Sequence, residues 1–105
     1  MAVRVNSGDF TEKVLKASIP VLVDFYTDSC TACKQLSPTL GDVEDNYEGV
    51  VAVYKVNAGA DQELAAEYSV MSAPTLILFK NGEEAGRLRG NQKYADIEYF
   101  LKERI

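Results

Sequence analysis

The chain contains only two cysteines, Cys30 and Cys33, and two residues separate them. This spacing lets the backbone turn tightly enough for the two sulfur atoms to form a disulfide. Two thiols are too few for a closed four-ligand zinc site and too few for a secreted scaffold held together by disulfides. The pair therefore predicts dithiol–disulfide chemistry. Two other interpretations remain open: both cysteines are small buried hydrophobic residues, or a metal joins the thiolates of two chains.

The cysteine pair lies where a predicted strand meets a predicted helix. Residues 21–26 (VLVDFY) are almost continuously apolar, as in a strand covered on both faces. From Cys30 onward the apolar residues recur every three or four positions and continue past Pro38, which predicts one kinked helix. The first turn of a helix carries unpaired N–H groups and partial positive charge, which favour a thiolate at Cys30. We therefore expect Cys30 to attack a disulfide, and Cys33, one turn further into the core, to resolve the mixed disulfide.

A carboxylate, Asp24, lies in the middle of this predicted strand. Burial disfavours the charged form of a carboxyl group, so a buried Asp24 is able to exchange protons near neutral pH. We predict that it accepts the proton of Cys33, directly or through a water molecule. Lys55, inside the next predicted strand, is the expected buried partner that moderates this effect. The alternative is a structural acid that is hydrogen-bonded to backbone amides.

The length, composition and net charge of the chain exclude several function classes. Its 105 residues are 47% hydrophobic and carry a net charge of −5, which predicts a single domain over 1–105 and no nucleic-acid partner. No stretch approaches the roughly 18 apolar residues of a membrane span, so no membrane partner is expected. The start, MAVRVNSGDF, has no apolar signal-peptide run, which predicts a cytoplasmic protein. There is no histidine to act as a base or a metal ligand.

The remaining patterns complete the predicted fold. In chain order they are a short strand at Val3 and Val5, a helix over 9–17 capped by Asn6 or Ser7, a strand over 50–56, a helix from about residue 61, strands over 75–80 and 83–89, and a closing helix with Tyr94, Ile97 and Leu101. Asn81-Gly82 is a strong signal for a two-residue hairpin between the last two strands. This order predicts an α/β protein with a mixed sheet and helices on both faces.

With these elements in this order, the sequence resembles the thioredoxin family over nearly its whole length. The matching segments occur in the family's order: VLVDFY, then CxxCK, YKVN, LAAEYSV, APTLILFKNGE and the glycine of RLRG. The resemblance implies a thioredoxin fold, with a central mixed sheet of about five strands flanked by four helices. It also implies a monomer whose redox centre is the Cys30–Cys33 disulfide, with no bound cofactor.

The resemblance implies an activity and site residues as well. Proteins of this family reduce disulfides in target proteins and are recycled by a thioredoxin reductase, which draws electrons from NADPH or ferredoxin. Cys30 and Cys33 match the family's nucleophile and resolving thiol. Asp24 matches its buried acid, and Lys55 matches the partner of that acid.

A second part of the family's site falls on the segment before the fourth predicted strand. Pro74 matches the cis-proline that faces the disulfide, and Ala73 before it would pair its backbone with an extended target segment. Gly90 matches a further residue of the target-binding surface. The alternative for Pro74 is an ordinary turn at the start of a strand.

The active-site run departs from the family's usual Trp-Cys-Gly-Pro-Cys. Ser29 removes an aromatic side chain from the docking face, which predicts a narrower set of partners. Thr31 adds a β-branched hydroxyl at the rim. Ala32 restores a backbone N–H that proline lacks, and we expect this donor to stabilise the Cys30 thiolate and make the disulfide more oxidising. Asp28 opposes that effect, because a nearby anion disfavours a thiolate.

Two further functions remain open at this stage. One is a disulfide oxidase or isomerase, which uses the same chemistry in the opposite direction. The other is a redox-inactive module that binds partners through the same fold without turnover.

Overall fold

A five-stranded mixed sheet forms the centre of the computed structural model, which describes residues 2–105. The strands are β1 (Val3–Arg4), β2 (Val21–Tyr26), β3 (Ala52–Asn57), β4 (Thr75–Lys80) and β5 (Glu83–Arg89), in the spatial order β1-β3-β2-β4-β5. β3 is parallel to both β1 and β2, and β4 is antiparallel to β2 and β5. The predicted mixed sheet is therefore confirmed.

Three α-helices and one π-helical turn cover the sheet. They are the π-helical turn (Thr11–Leu15), α1 (Thr31–Asn46), α2 (Gln62–Glu67) and α3 (Tyr94–Arg104). Pro38 lies inside α1, and the buried residues of α1 follow the predicted spacing: Cys33, Leu36, Leu40 and Val43. Asn81 and Gly82 both have positive φ angles, 54° and 80°, as the predicted hairpin turn requires.

The alternation of side chains along β2 divides the core into two layers. Leu22 packs with the residues of α1 and α3, whereas Val21, Val23 and Phe25 pack on the opposite face with α2 and the π-helical turn. Both faces of β2 are thus buried, which explains its near-continuous apolar sequence. Asp24 shares the face of Leu22, and this direction places its carboxyl group beneath α1.

One predicted helix near the N-terminus is shorter than expected. The predicted helix over 9–17 is a single helical turn, and no side chain caps it. Asn6 instead organises the preceding turn, because its Oδ1 accepts a hydrogen bond from Gly8 N at 2.8 Å and its N–H donates to Asp9 Oδ1 at 2.7 Å. These local bonds compete with helix formation, so the helix begins only after them.

Candidate active site

Cys30 and Cys33 form a disulfide at the N-terminus of α1, with their Cα atoms 5.2 Å apart. Cys30 is the N-cap residue of α1, with extended backbone angles of −89° and 112°, and its Sγ accepts a hydrogen bond from Cys33 N at 3.1 Å. The sulfur thus occupies the position at which a helix N-terminus stabilises negative charge. Cys33 is only 6% exposed, whereas Cys30 is half-buried. The two sulfurs therefore meet different surroundings.

Asp24 is a buried carboxyl group on the Cys33 side of the disulfide. It is 5% exposed, and its Oδ1 has no hydrogen-bond partner among residues 2–105. Burial raises the pKa of Asp24 to about 7. The unpartnered oxygen argues against a purely structural acid, since such an acid would be bonded to backbone amides.

A cavity of about 180 Å³ connects Asp24 with Cys33. Its wall also includes Ser37 of α1, together with Asp28 and Lys55. Most of the residues that line it carry polar groups, and it is large enough for several water molecules. Asp24 and Cys33 therefore border the same space.

Lys55 lies beside Asp24 in the sheet, because the two residues are register partners on β3 and β2. They do not close into a salt bridge within the part of the chain that the structure describes. Instead the Nζ atom of Lys55 lies 5.3 Å from the centre of the Tyr26 ring, in a cation–π arrangement. Its attraction lowers the pKa of Asp24, but the desolvation of the carboxyl group is the larger effect.

The segment before β4 approaches the other sulfur. The Ala73–Pro74 peptide bond is cis, the geometry that the resemblance implies. The carbonyl oxygen of Ala73 lies 3.6 Å from Cys30 Sγ. Gly90 N donates a hydrogen bond to Pro74 O at 2.8 Å, so β5 braces this segment from the side. The structure thus brings Cys30, Ala73, Pro74 and Gly90 together.

An apolar groove of about 550 Å³ extends from Cys30 along α2. Small and aliphatic residues line most of it, among them Ala58, Gly59, Ala66 and Val70. Met71 forms part of its edge and is 92% exposed. This groove was not predicted from the sequence, although Met71, three residues before Pro74, was an available signal.

Comparison with known proteins identifies the family of this chain. The Thioredoxin family model matches residues 1–103. The chain belongs to the thioredoxin family. It is 39% identical to "Thioredoxin" of Rickettsia bellii over 95% of this chain and 96% of that protein. It is 35% identical to "Thioredoxin 1" of Nostoc sp. over 99% and 97% of the two chains, and 33% identical to "Thioredoxin" of Porphyra purpurea over 97% and 95%.

Within this thioredoxin-family site, the residues that depart from the usual run lie at the rim. Ser29 and Thr31 are exposed, and Ala32 is half-buried. The backbone donor to Cys30 Sγ is the N–H of Cys33, which a proline at position 32 would leave intact. The donor expected from Ala32 does not reach the sulfur in this disulfide form. The effect of Ala32 on the redox potential therefore stays a prediction, with a smaller expected size.

Asn57 supports the residues around the site and was also not predicted from the sequence. Its buried side chain donates from Nδ2 to Asp28 Oδ2 at 3.2 Å, and its Oδ1 accepts from Gly59 N at 3.0 Å and Ala60 N at 3.1 Å. Asn57 thereby joins the loop before Cys30 to the turn that borders the groove. The signal that could have revealed it was a polar residue directly after the apolar Val56, at the end of β3.

Residues 2–105 contain neither a metal-binding cluster nor a membrane-spanning helix. No cluster of three or more histidine, cysteine, aspartate or glutamate side chains is placed to hold a metal ion there. Across the same residues, every helix is too short or too polar to traverse a lipid bilayer.

Proposed function

We propose that the protein is a dithiol–disulfide oxidoreductase that reduces disulfides in target proteins. The observation that carries the proposal is the unequal environment of the two disulfide sulfurs. Cys30 is half-buried at the end of an apolar groove, and Cys33 is buried beside a cavity that Asp24 also lines. One sulfur is accessible to a partner, and the other has access to a proton acceptor.

The reaction begins with the reduced form of the pair. The Cys30 thiolate attacks one sulfur of a target disulfide, and the second target sulfur leaves as a thiolate. This step forms a mixed disulfide between Cys30 and the target. The N-terminus of α1 stabilises the attacking thiolate through the N–H group of Cys33 and the helix dipole.

The second step releases the target. Asp24 takes the proton of the Cys33 thiol, and the resulting thiolate attacks Cys30 Sγ. The Cys30–Cys33 disulfide forms, the mixed disulfide breaks, and the target sulfur that was bonded to Cys30 leaves as a thiolate. Two electrons have then passed from the protein to the target. Because burial raises the pKa of Asp24 to about 7, the carboxyl group accepts and returns this proton near neutral pH.

The docking of the target is assigned to the Cys30 side. We propose that an extended target segment pairs with the backbone of Ala73 beside Pro74, and that Gly90 and the exposed rim residues Ser29, Thr31 and Ala32 contact it. An aromatic residue is absent from this rim, and a restricted partner range follows. The groove along α2 receives apolar side chains that flank the target disulfide.

The cycle closes when a thioredoxin reductase, supplied by NADPH or ferredoxin, returns two electrons to the disulfide. The proposal includes a monomer without a bound cofactor, in the reducing setting of a cytoplasm. The family resemblance and the relatives named "Thioredoxin" support it.

The test is a trapping experiment with two matched variants. Cys33→Ser retains the attacking thiol, so we expect it to accumulate covalent complexes with a disulfide substrate such as insulin, visible by mass and released by dithiothreitol. Cys30→Ser has no attacking thiol and serves as the control, which should trap nothing. Equal trapping by both variants, or trapping by neither, would contradict the assigned roles.

The direction of the reaction is tested by the equilibrium potential of the pair, read from thiol alkylation in dithiothreitol buffers. A potential below the glutathione range of about −220 to −260 mV supports a reductant. A potential near about −180 mV or above is typical of disulfide isomerases and oxidants, and it would assign that activity instead.

A further inference from the structure

Arg87 on β5 forms the most extensive side-chain hydrogen-bond set near the groove. Its Nε donates to Glu84 Oε2 at 2.7 Å, and its Nη2 donates to Glu84 Oε1 at 2.6 Å. The carboxylate and the guanidinium therefore form a bidentate salt bridge. The same guanidinium donates to the carbonyl oxygens of Tyr68 at 2.8 Å and Ser69 at 3.5 Å. The side chain of Arg87 is only 15% exposed. This arrangement fixes the guanidinium against the C-terminal end of α2.

The C-terminal end of α2 contains a residue in a disfavoured backbone conformation. Val70 N donates to Ala65 O at 2.8 Å and Ser69 N donates to Ala66 O at 3.0 Å, the pattern of a Schellman motif. Ser69 occupies the left-handed position of this motif, with φ of 55°. Glycine is the usual residue there, because a Cβ atom disfavours the left-handed conformation. The bonds from Arg87 to Tyr68 O and Ser69 O offset that strain.

The segment that begins at Ser69 leads directly to the reactive sulfur. Residues 70–73 form one wall of the groove, and the carbonyl oxygen of Ala73 lies 3.6 Å from Cys30 Sγ. The far end of this segment is anchored by Thr75 Oγ1, which donates to Ser72 O at 2.7 Å. Its near end is anchored by Arg87. The conformation of the groove wall therefore depends on both anchors.

We propose that Arg87, oriented by Glu84, is a positioning residue that sets the target specificity of the site by holding residues 69–73 against the groove. This inference rests on the proposed function, since it assigns the groove wall to target binding. Arg87 does not contact either sulfur. Its loss should therefore weaken the reaction with protein disulfides, which need the wall, and spare the reaction with a small disulfide, which needs only the Cys30 sulfur.

The experiment compares Arg87→Met and Arg87→Lys with the unmodified protein and with Lys16→Met. Lysine keeps the charge but lacks the planar fork that reaches both Glu84 and the carbonyls. Lys16 is 64% exposed and pairs with Glu12, so Lys16→Met controls for the loss of one positive charge in a surface ion pair. The readouts are KM and kcat for insulin, the rate with a small aromatic disulfide, and hydrogen exchange of the Ser69 and Val70 amides.

For Arg87→Met we expect KM for insulin to rise about fivefold, with kcat and the small-disulfide rate within about a factor of two of the unmodified protein. The amides of Ser69 and Val70 should exchange about tenfold faster. Arg87→Lys should fall between, and Lys16→Met should match the unmodified protein. Adding Ser69→Gly to Arg87→Met should recover most of the insulin KM, because glycine adopts the left-handed conformation without support.

Three results would overturn the inference. One is a lowered melting temperature with an unchanged KM, which would leave Arg87 a structural residue only. Another is an equal loss of the insulin and small-disulfide rates, which would place the effect at the sulfurs. The third is a KM increase that Ser69→Gly does not reduce. An unmodified protein inactive on both substrates would instead overturn the proposed function, and the exchange of the two amides would still report on the anchor.

Discussion

The two sides of the Cys30–Cys33 disulfide differ in nearly every physical respect. On the Cys30 side lies an open apolar groove whose walls come from α2, from the turn after β3 and from the segment before β4. On the Cys33 side lies a smaller cavity, lined mostly by residues with polar or charged groups and bordered by the buried carboxyl group of Asp24. Under the proposed function, one sulfur meets a partner and the other loses a proton. Substitutions on the two sides should therefore change different quantities.

The largest effect is expected for Asp24→Asn on the cavity side. Asparagine cannot accept the Cys33 proton, so release of the target from the mixed disulfide should slow by about a hundredfold near pH 8. In the unmodified protein this rate should rise through an inflection near pH 7, where Asp24 ionises. Rapid-quench measurements of single turnovers test both statements. An Asp24→Asn rate that keeps the inflection would show that another group takes the proton.

The same substitution should change stability with a definite sign. The pKa of Asp24 is about 7 in the folded state, well above its ordinary value of 3.8, so the folded protein binds the proton more tightly. The free energy of unfolding should therefore fall as the pH rises from about 4 to about 7. Asp24→Asn should remove this slope and be more stable than the unmodified protein above pH 7, by roughly 2–4 kcal/mol. Urea denaturation at pH 5 and pH 8 measures the difference.

The next largest effect is expected on the groove side. Ala66→Phe would fill part of the groove and should raise KM for insulin about tenfold while leaving the pH profile of target release unchanged. The matched control is Ala95→Phe, an exposed position on α3 that does not line the groove. Steady-state kinetics of the two variants make the comparison. A changed pH profile in Ala66→Phe would mean that the two sides are not separable.

A smaller effect is expected for Lys55→Met, on the cavity side. Lys55 lowers the pKa of Asp24 by attraction, so Lys55→Met should move the inflection of the release rate to higher pH. KM for insulin should not change, because Lys55 does not line the groove. The measurement is the same single-turnover pH series, with Lys16→Met as the control for charge. An inflection that stays in place would mean that Asp24 does not respond to Lys55.

The smallest effect is expected at the rim. Ala32→Pro removes a backbone N–H that does not reach Cys30 Sγ in the disulfide form, and it keeps the Cys33 donor. The potential should therefore move toward the reducing direction by less than about 30 mV, which corresponds to about 1.4 kcal/mol. Thiol alkylation in redox buffers measures it. A larger shift would show that Ala32 donates to the sulfur once the pair is reduced.

The fold was predictable because its signals are local and periodic. The three-and-four spacing of α1, the apolar run of β2 and the Asn81-Gly82 turn each determine an element within a few residues of sequence. The cysteine pair at the junction of β2 and α1 was predictable for the same reason. The predicted helix over 9–17 was wrong in length, because hydrogen bonds around Asn6 compete with the helical turn.

The unpredicted parts of the site depend on contacts between distant residues. Arg87 bonds to the carbonyl of Tyr68, 19 positions earlier in the chain, and no spacing rule connects them. Ser69 takes a backbone conformation that its residue type disfavours, so composition pointed away from it. The groove exists only where α2, β3 and the segment before β4 converge. Such features follow from packing after the elements are in place.

Asn57 limits how far the two sides of the disulfide can be engineered independently, because it contacts residues on both sides. Its amide holds Asp28, on the rim of the cavity, and also the turn at Gly59 and Ala60 that borders the groove. A combinatorial library that varies the groove lining should yield new partner preferences with the proton chemistry intact, provided that this asparagine is kept. Randomising Asn57 would alter partner preference and proton transfer together. A selection for one of these properties would then not separate it from the other.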